Sequence, residues 1–353
     1  MKNGYKALIT QNFVQIGHIY RETGEPEKAL NIFQDAYDKS KKNGDLINMS
    51  NQLSNLSLLL LNLGEYDRAF QYLQDAYEID EKLGNINGMA ADLGNLGNVQ
   101  RNLGKLQEAL NSFQKAYELY ESMGGFSGMA VMLGNISLIH FDFGNLELAL
   151  ENNYKALEIK ERIGDLMGKA GLLCNMGLIY NDLGQPNRAL DLFREAYNID
   201  ESLKNIQGMA SDLGNIGLSY MDLGDTETAL EHFKKSYELN EKLGNLREIA
   251  NQLCNLGRYQ STKKNLKEAI QYYKKSYEIF KKIKDPIGMA EQVNNIGVML
   301  LYGGLKEQAL TCFQDAYVIF DEKGLTDRTT QLSHLIEQLK TELKKNFKKD
   351  MSN

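Results

Sequence analysis

Apolar and small residues return along this chain every 40 positions, in the same order and without drift. Ala29, Ala69, Ala109, Ala149, Ala189, Ala229, Ala269 and Ala309 share one phase. Gly24, Gly64, Gly104, Gly144, Gly184, Gly224 and Gly304 share another, with Lys264 as the exception. Phe33, Leu73, Phe113, Phe193, Phe233, Tyr273 and Phe313 form a third, and repeat 4 departs there with Asn153. Tyr37, Tyr77, Tyr117, Tyr197, Tyr237, Tyr277 and Tyr317 form a fourth, with Leu157 in repeat 4. The units are therefore about 5–44, 45–84, 85–124, 125–164, 165–204, 205–244, 245–284 and 285–324, with no insertion or deletion. A fixed period of this length marks a stacked array rather than one globular core.

Each unit reads as a pair of helices, A then B. In repeat 3, Leu93, Leu96, Gly97 and Gln100 lie at i, i+3, i+4 and i+7, one stripe of a helix. Ala109, Leu110, Phe113, Ala116 and Tyr117 make the matching stripe of the second. Asp45, Asn85, Asp165, Asn205, Asn245 and Asp285 stand where helix A needs an N-cap. Gly104 falls where helix A needs a left-handed terminator. Pro26, Pro186 and Pro286 fall in first turns, where proline is tolerated. Gly97, Ala109 and Ala116 permit close helix approach, and the aromatic residues fill the space between hairpins. Residues 1–325 are thus read as the array. Residues 326–353 are read as an amphipathic capping helix with a basic tail, its apolar face made by Leu332, Leu335, Ile336, Leu339 and Leu343.

These residues resemble the tetratricopeptide repeat, whose signature is a large residue, Leu-Gly and Tyr on helix A and Ala, Phe and Ala on helix B. Here it reads Leu213, Ile216-Gly217, Tyr220, Ala229, Phe233 and, departing slightly, Ser236. The resemblance covers 5–324. The familiar unit is shorter, at about 34 residues. The string Gly94-Asn95-Leu96-Gly97, then Leu103-Gly104 and Glu108-Ala109, is similar to the long-repeat subfamily of Pins/LGN adaptors, kinesin light chain and bacterial Rap-type peptide receptors. The resemblance implies an all-α, right-handed solenoid of eight hairpins plus the capping helix. It also implies peptide or partner-domain binding on the helix A face.

Composition agrees with many tight turns: 31 glycines, three prolines and no tryptophan. Net charge is −7; residues 340–350 carry five lysines against two acids, leaving about −10 on the rest. That acidity argues against nucleic acid as a partner. The start MKNGYKALIT lacks a signal-peptide pattern, and the longest apolar stretch, Leu56 to Leu63, is too short for a bilayer. A cytoplasmic location is expected, so the three Asn-x-Ser matches, at Asn48, Asn55 and Asn135, read as accidental. No cofactor and no catalysis are expected. His18, His140, His232 and His334 are scattered, and no phosphate loop, His-Glu-x-x-His or nucleophile elbow occurs. Cys174 and Cys254 share a phase two repeats apart, about 20 Å as stacked layers, too far for one metal.

The chemistry-bearing feature is an asparagine ladder: Asn55, Asn95, Asn135, Asn175, Asn215, Asn255 and Asn295, with Gln15 in repeat 1. Asparagine inside a helix costs roughly 0.6 kcal/mol against alanine, so seven copies forgo about 3–5 kcal/mol. The position four residues earlier has diverged to Asn51, Ala91, Val131, Gly171, Ser211, Asn251 and Glu291. Two readings stand. Each amide bridges to the next hairpin, or each offers a donor and an acceptor to the backbone of a bound segment. In the families resembled, asparagines of this phase contact peptides. Seven residues on stand Asp142, Asp182 and Asp222 in repeats 4–6, and Arg258 is the one cation three residues on. An acidic middle of the groove predicts a ligand that is basic there. The residues preceding the ladder (Ser54, Gly94, Gly134, Cys174, Gly214, Cys254 and Asn294) include no cation, which disfavours the chaperone-tail type of carboxylate clamp.

The reading is a scaffold or adaptor for a partner's peptide segment, as monomer or weak homodimer, without membrane insertion. Alternatives are a bacterial peptide-signal receptor, a regulatory module cut from a larger signalling protein, and a self-assembling structural module. The first calls for an N-terminal effector domain, and repeat 1 starting by residue 5 leaves no room for it.

Overall fold

The computed structural model describes residues 15–17, 19, 20 and 25–350, with side chains as far as 345. His18, Gly24, the first 14 residues and the last three lie outside the described residues. Every element described is helical. Repeat 1 contributes helix B (Pro26–Asn43). Helices A and B then alternate as Leu46–Asn62 and Tyr66–Leu83, Ile86–Asn102 and Leu106–Ser122, Phe126–Asp142 and Leu146–Ile163, and Leu166–Asp182 and Pro186–Leu203. Ile206–Asp222 and Thr226–Leu243, Leu246–Thr262 and Leu266–Lys282, and Pro286–Tyr302 and Lys306–Glu322 follow, then Thr326–Asp350. The fold is the tetratricopeptide type of α-solenoid. The chain divides into two compact units, Met1–Leu172 and Leu173–Asn353.

Within each unit the hairpins close by the same contact. A Cβ on Gly97 would sit 2.5 Å from the Phe113 ring, so only glycine lets helix A lie against that ring. Gly177 and Phe193, Gly217 and Phe233, and Gly257 and Tyr273 repeat the arrangement in the second unit. Where the ring is missing, glycine is missing too. Ser57 stands in this phase beside Leu73 in repeat 2, and Ser137 beside Asn153 in repeat 4. All four are buried. The alanine phase is fully buried in every repeat described.

The turns obey the local rules read from sequence. Asp45, Asn85, Asp165, Asn205, Asn245 and Asp285 each accept the N–H three residues on. Gly104 has φ +74°, and Lys264 holds the same left-handed conformation at +61°, a strain on a side chain that Gly does not feel. On the terminal helix Leu332, Ile336 and Leu339 are buried against helix B of repeat 8, while Leu335 and Leu343 are half-buried.

Candidate functional site

All seven ladder asparagines are half-buried, at the edge of helix A where the stripe turns to solvent. In the first unit Asn55, Asn95 and Asn135 make no side-chain hydrogen bond within the described chain; in the second, neither do Asn175 and Asn215. Asn255 donates to Gln252 Oε1 of its own helix at 3.3 Å. Asn295 alone reaches the preceding helix A, at Cys254 Sγ, 3.6 Å. Bridging from hairpin to hairpin is therefore the exception, made at one rung of seven.

The flanking positions open the same face. Ala91, Val131, Gly171 and Ser211, four residues before the asparagines, are exposed. Three residues after them come Leu58 and Leu138 in the first unit and Leu178, Leu218 and Val298 in the second, half-buried or, at Leu178, exposed. Charge at this position, where Arg258 stands, does not single out these leucines, although they keep the same period. In the second unit, a cavity of 250 Å³ is lined by Asn215, Leu218, Asn251, Asn255, Glu248 and Glu291 among others. Another of 440 Å³ lies between Asn295 and Val298 on one side and Gln331 and Leu335 of the terminal helix on the other. Arg328 and Glu291 pair at its wall.

The acidic row does not behave as one set. Asp142 is held by Arg101 of the preceding repeat in a forked pair, Nε to Oδ2 at 2.6 Å and Nη2 to Oδ1 at 3.2 Å. Asp182 and Asp222 are exposed and in no ion pair among the described residues, as is Arg258.

Beneath the asparagines runs a buried seam. The residue three before each rung is Gln52, Asp92, Met132, Leu172, Asp212, Gln252 or Gln292, all buried. It packs toward the residue that precedes the rung in the repeat before. Ser54 Oγ donates to Asp92 Oδ1 and Cys174 Sγ to Asp212 Oδ1, each at 2.7 Å. Met132 lies against Gly94, and Leu172 against Gly134. Burial raises the carboxyls of Asp92 and Asp212 to about 7; their hydrogen bonds oppose the rise, and Asp80 and Asp200 add to it. The Oδ2 atom of each has no hydrogen-bond partner among the described residues. Burial and the Asp212 charge push the Cys174 thiol far up, so it is no nucleophile near neutrality. The histidines stay scattered: His232 bonds Thr228 O at 2.8 Å and tilts on Tyr220, and His140 Nδ1 is enclosed without a partner. Among the described residues no three His, Cys, Asp or Glu side chains are placed to hold a metal ion. No helix among them is long and apolar enough to cross a membrane.

Consecutive hairpins with a small-to-large core and an open polar edge on the A helices define a helical-repeat interaction module. The chain belongs to the tetratricopeptide repeat family: residues 45–122, 128–202 and 209–282 match it, as do residues 13–47. The fold is similar to that of apo RapI, with 18% identity and a TM-score of 0.64 over 78% of this chain and 98% of that one. It is similar to aspartyl phosphate phosphatase F from Bacillus subtilis, at 16% identity and TM-score 0.55, covering 94% of both chains. It is also similar to a signal transduction ATPase with numerous domains and a tetratricopeptide repeat sensor from Pyrococcus horikoshii. That match has 16% identity and TM-score 0.64, over 94% of this chain and 50% of the other. No curated protein matches by sequence.

Proposed function

We propose that this protein is a non-catalytic, cytoplasmic scaffold whose A helices hold an extended or helical segment of a partner protein. The observation that carries the reading is the set of amides at Asn55, Asn95, Asn135, Asn175 and Asn215. They are half open to solvent, without a side-chain hydrogen bond among the described residues, and placed where asparagine weakens a helix. A primary amide offers donor and acceptor together, which suits the N–H and C=O of a peptide backbone whatever its sequence. The leucines beside them would take the partner's apolar side chains. Asp182 and Asp222 favour a basic residue in the middle of the segment, and Asp142, already held by Arg101, contributes less.

The test compares partners recovered by the wild-type chain and by Asn175→Ala/Asn215→Ala/Asn255→Ala, after circular dichroism has established equal helicity and melting. Loss of partners from the folded variant supports the reading. An unchanged set of partners makes the ladder structural and removes it. For the charge component, Asp182→Asn/Asp222→Asn should weaken capture most at low salt; equal weakening at all salt concentrations contradicts it.

A further inference from the structure

Repeat 7 reverses the charge of the molecule. Residues 245–284 carry ten Lys and Arg against three Glu, a net +7 inside a chain of net −7, so the remainder carries −14. The excess lies on the outer face of helix B. Lys267, Lys274, Lys275, Lys281 and Lys282 are all exposed, and none forms an ion pair among the described residues. Seven residues advance a helix by two turns less about 20°, so Lys267, Lys274 and Lys281 form one row and Lys275 and Lys282 a second beside it. The face is about 22 Å long at 1.5 Å per residue.

This is not the ordinary solvated face of the array. In the phase of Lys281 the other B helices from repeat 2 onward place Glu81, Glu121, Glu161, Glu201, Glu241 and Asp321. In the phase of Lys267 they place mostly acids, among them Asp67, Glu147, Glu227 and Glu307. That second position is in the first turn, where the helix dipole favours an anion and disfavours a cation. Lysine at 267 therefore costs the isolated helix stability, whereas Lys281 stands in the last turn, where the dipole favours a cation. An anionic ligand would offset that cost.

We propose that the outer face of helix Leu266–Lys282 is a second docking surface, separate from the asparagine face, for a short acidic segment of a partner protein. Its size and surroundings select that occupant. A nucleic acid or a membrane plane extends well past 22 Å. Beside Lys234 and Lys235 it would meet Glu227, Glu231 and Glu238 on one neighbouring B helix, and Glu307, Asp315 and Asp321 on the other. A stretch of about six to eight acidic residues stays on this one helix, where the five lysines outnumber Glu278, the exposed acid that lies between their two rows. The lysine ammonium, a mobile point charge, suits carboxylates presented without fixed geometry.

The experiment uses the full chain and a fluorescein-labelled decaglutamate peptide, followed by anisotropy at about 50 mM salt, where the Debye length still spans neighbouring lysines. Binding should weaken about tenfold in Lys274→Glu/Lys281→Glu and less in Lys274→Gln/Lys281→Gln. Lys115→Glu/Lys155→Glu, an equal change of net charge on the B helices of repeats 3 and 4, should leave affinity within about twofold. No binding by the wild type overturns the proposal, as does equal weakening by both charge-reversed variants. Tighter binding of a ten-nucleotide thymidine strand, or of phosphatidylserine vesicles, overturns it in favour of that ligand. Circular dichroism checks that each variant is folded.

Discussion

Two successive junctions of the first unit share a backbone and enclose opposite chemistry. Between repeats 3 and 4, Tyr120 packs against Gly128, and Met132 lies against Gly94, so the contact is apolar. Between repeats 2 and 3 the same four positions hold Asp80, Gly88, Asp92 and Ser54. There Ser50 Oγ and Asn85 Nδ2 donate to Asp80 at 2.8 and 3.0 Å, and Ser54 donates to Asp92. No cation enters by any of these bonds. The second unit repeats the acidic version at Asp200 and Asp212, served by Asn205 and Cys174. Glycine at the start of helix A makes room for whatever closes helix B, so the stack accepts a phenol ring or a carboxyl at one site. The apolar junction gains by burial, whereas the acidic one buries the Asp92 carboxyl near Asp80, which favours the protonated form of Asp92.

The largest consequence is a pH dependence that only the acidic junctions carry. The folded chain holds the Asp92 and Asp212 carboxyls up near 7, against an ordinary value near 4. A raised folded value means the native state binds more protons, so this stability is complete below about 4 and is lost as pH rises to about 7. Each acid contributes about 1.4 kcal/mol per pH unit inside that window. Urea unfolding at pH 5.5 and 7 should therefore differ by on the order of 4 kcal/mol for the two acids together. The comparison is with Asp92→Asn/Asp212→Asn, which retains the histidines but loses these two protons. Equal slopes for the two proteins would remove the idea.

Exporting the acid to the apolar junction should do nearly as much harm. Met132→Asp places a carboxyl opposite Gly94, which has no hydroxyl to offer, and should cost about 3 kcal/mol at pH 7 by denaturant midpoint. The reverse graft, Asp92→Met with Ser54→Gly, copies Gly94 and Met132 into the acidic junction. It should gain about 2 kcal/mol at pH 7 and little at pH 4. A gain that does not depend on pH would mean that packing, not the proton, separates the two junctions.

Much of this architecture was legible because one backbone is used repeatedly. The N-caps and the terminal stripe follow from local rules, and the period repeats the N-cap in six repeats. The aromatic rings, expected between hairpins, lie against helix A of their own hairpin, as Phe113 does at Gly97. Helical phase also put the asparagines at the open edge. It could not show that Arg101 reaches Asp142, because that bond joins different positions of adjacent repeats. Nor did it reveal the seam. A position occupied by Gln52, Asp92, Met132 and Leu172 has the mixed character of a solvent site, yet it is buried because the neighbouring A helix covers it. The basic face of repeat 7 was hidden differently. Charge summed over the whole chain cancels what one repeat concentrates.

Repeat 4 contains a buried polar group with even less support than Asp92, and it gives the smallest of these tests. Asn153 replaces the core ring, is fully buried, and leaves both amide atoms without a partner among the described residues. Ser137 beside it donates instead to Ala149 O at 2.7 Å, so the serine does not depend on the amide. Repeat 2 has the apolar counterpart in Ser57 and Leu73, where the hydroxyl bonds Ser54 O of its own helix at 2.7 Å. Asn153→Leu should therefore fit without moving the backbone and remove an unsatisfied amide. A gain of about 1 kcal/mol follows, less than the full desolvation cost because leucine brings its own side-chain entropy loss. Thermal melts at pH 5.5 and 7 should show the same gain, since asparagine does not titrate. A variant less stable than wild type would mean that the amide is satisfied in solution, and the contrast between supported and unsupported buried polar groups would then rest on Asp92 and Asp212 alone.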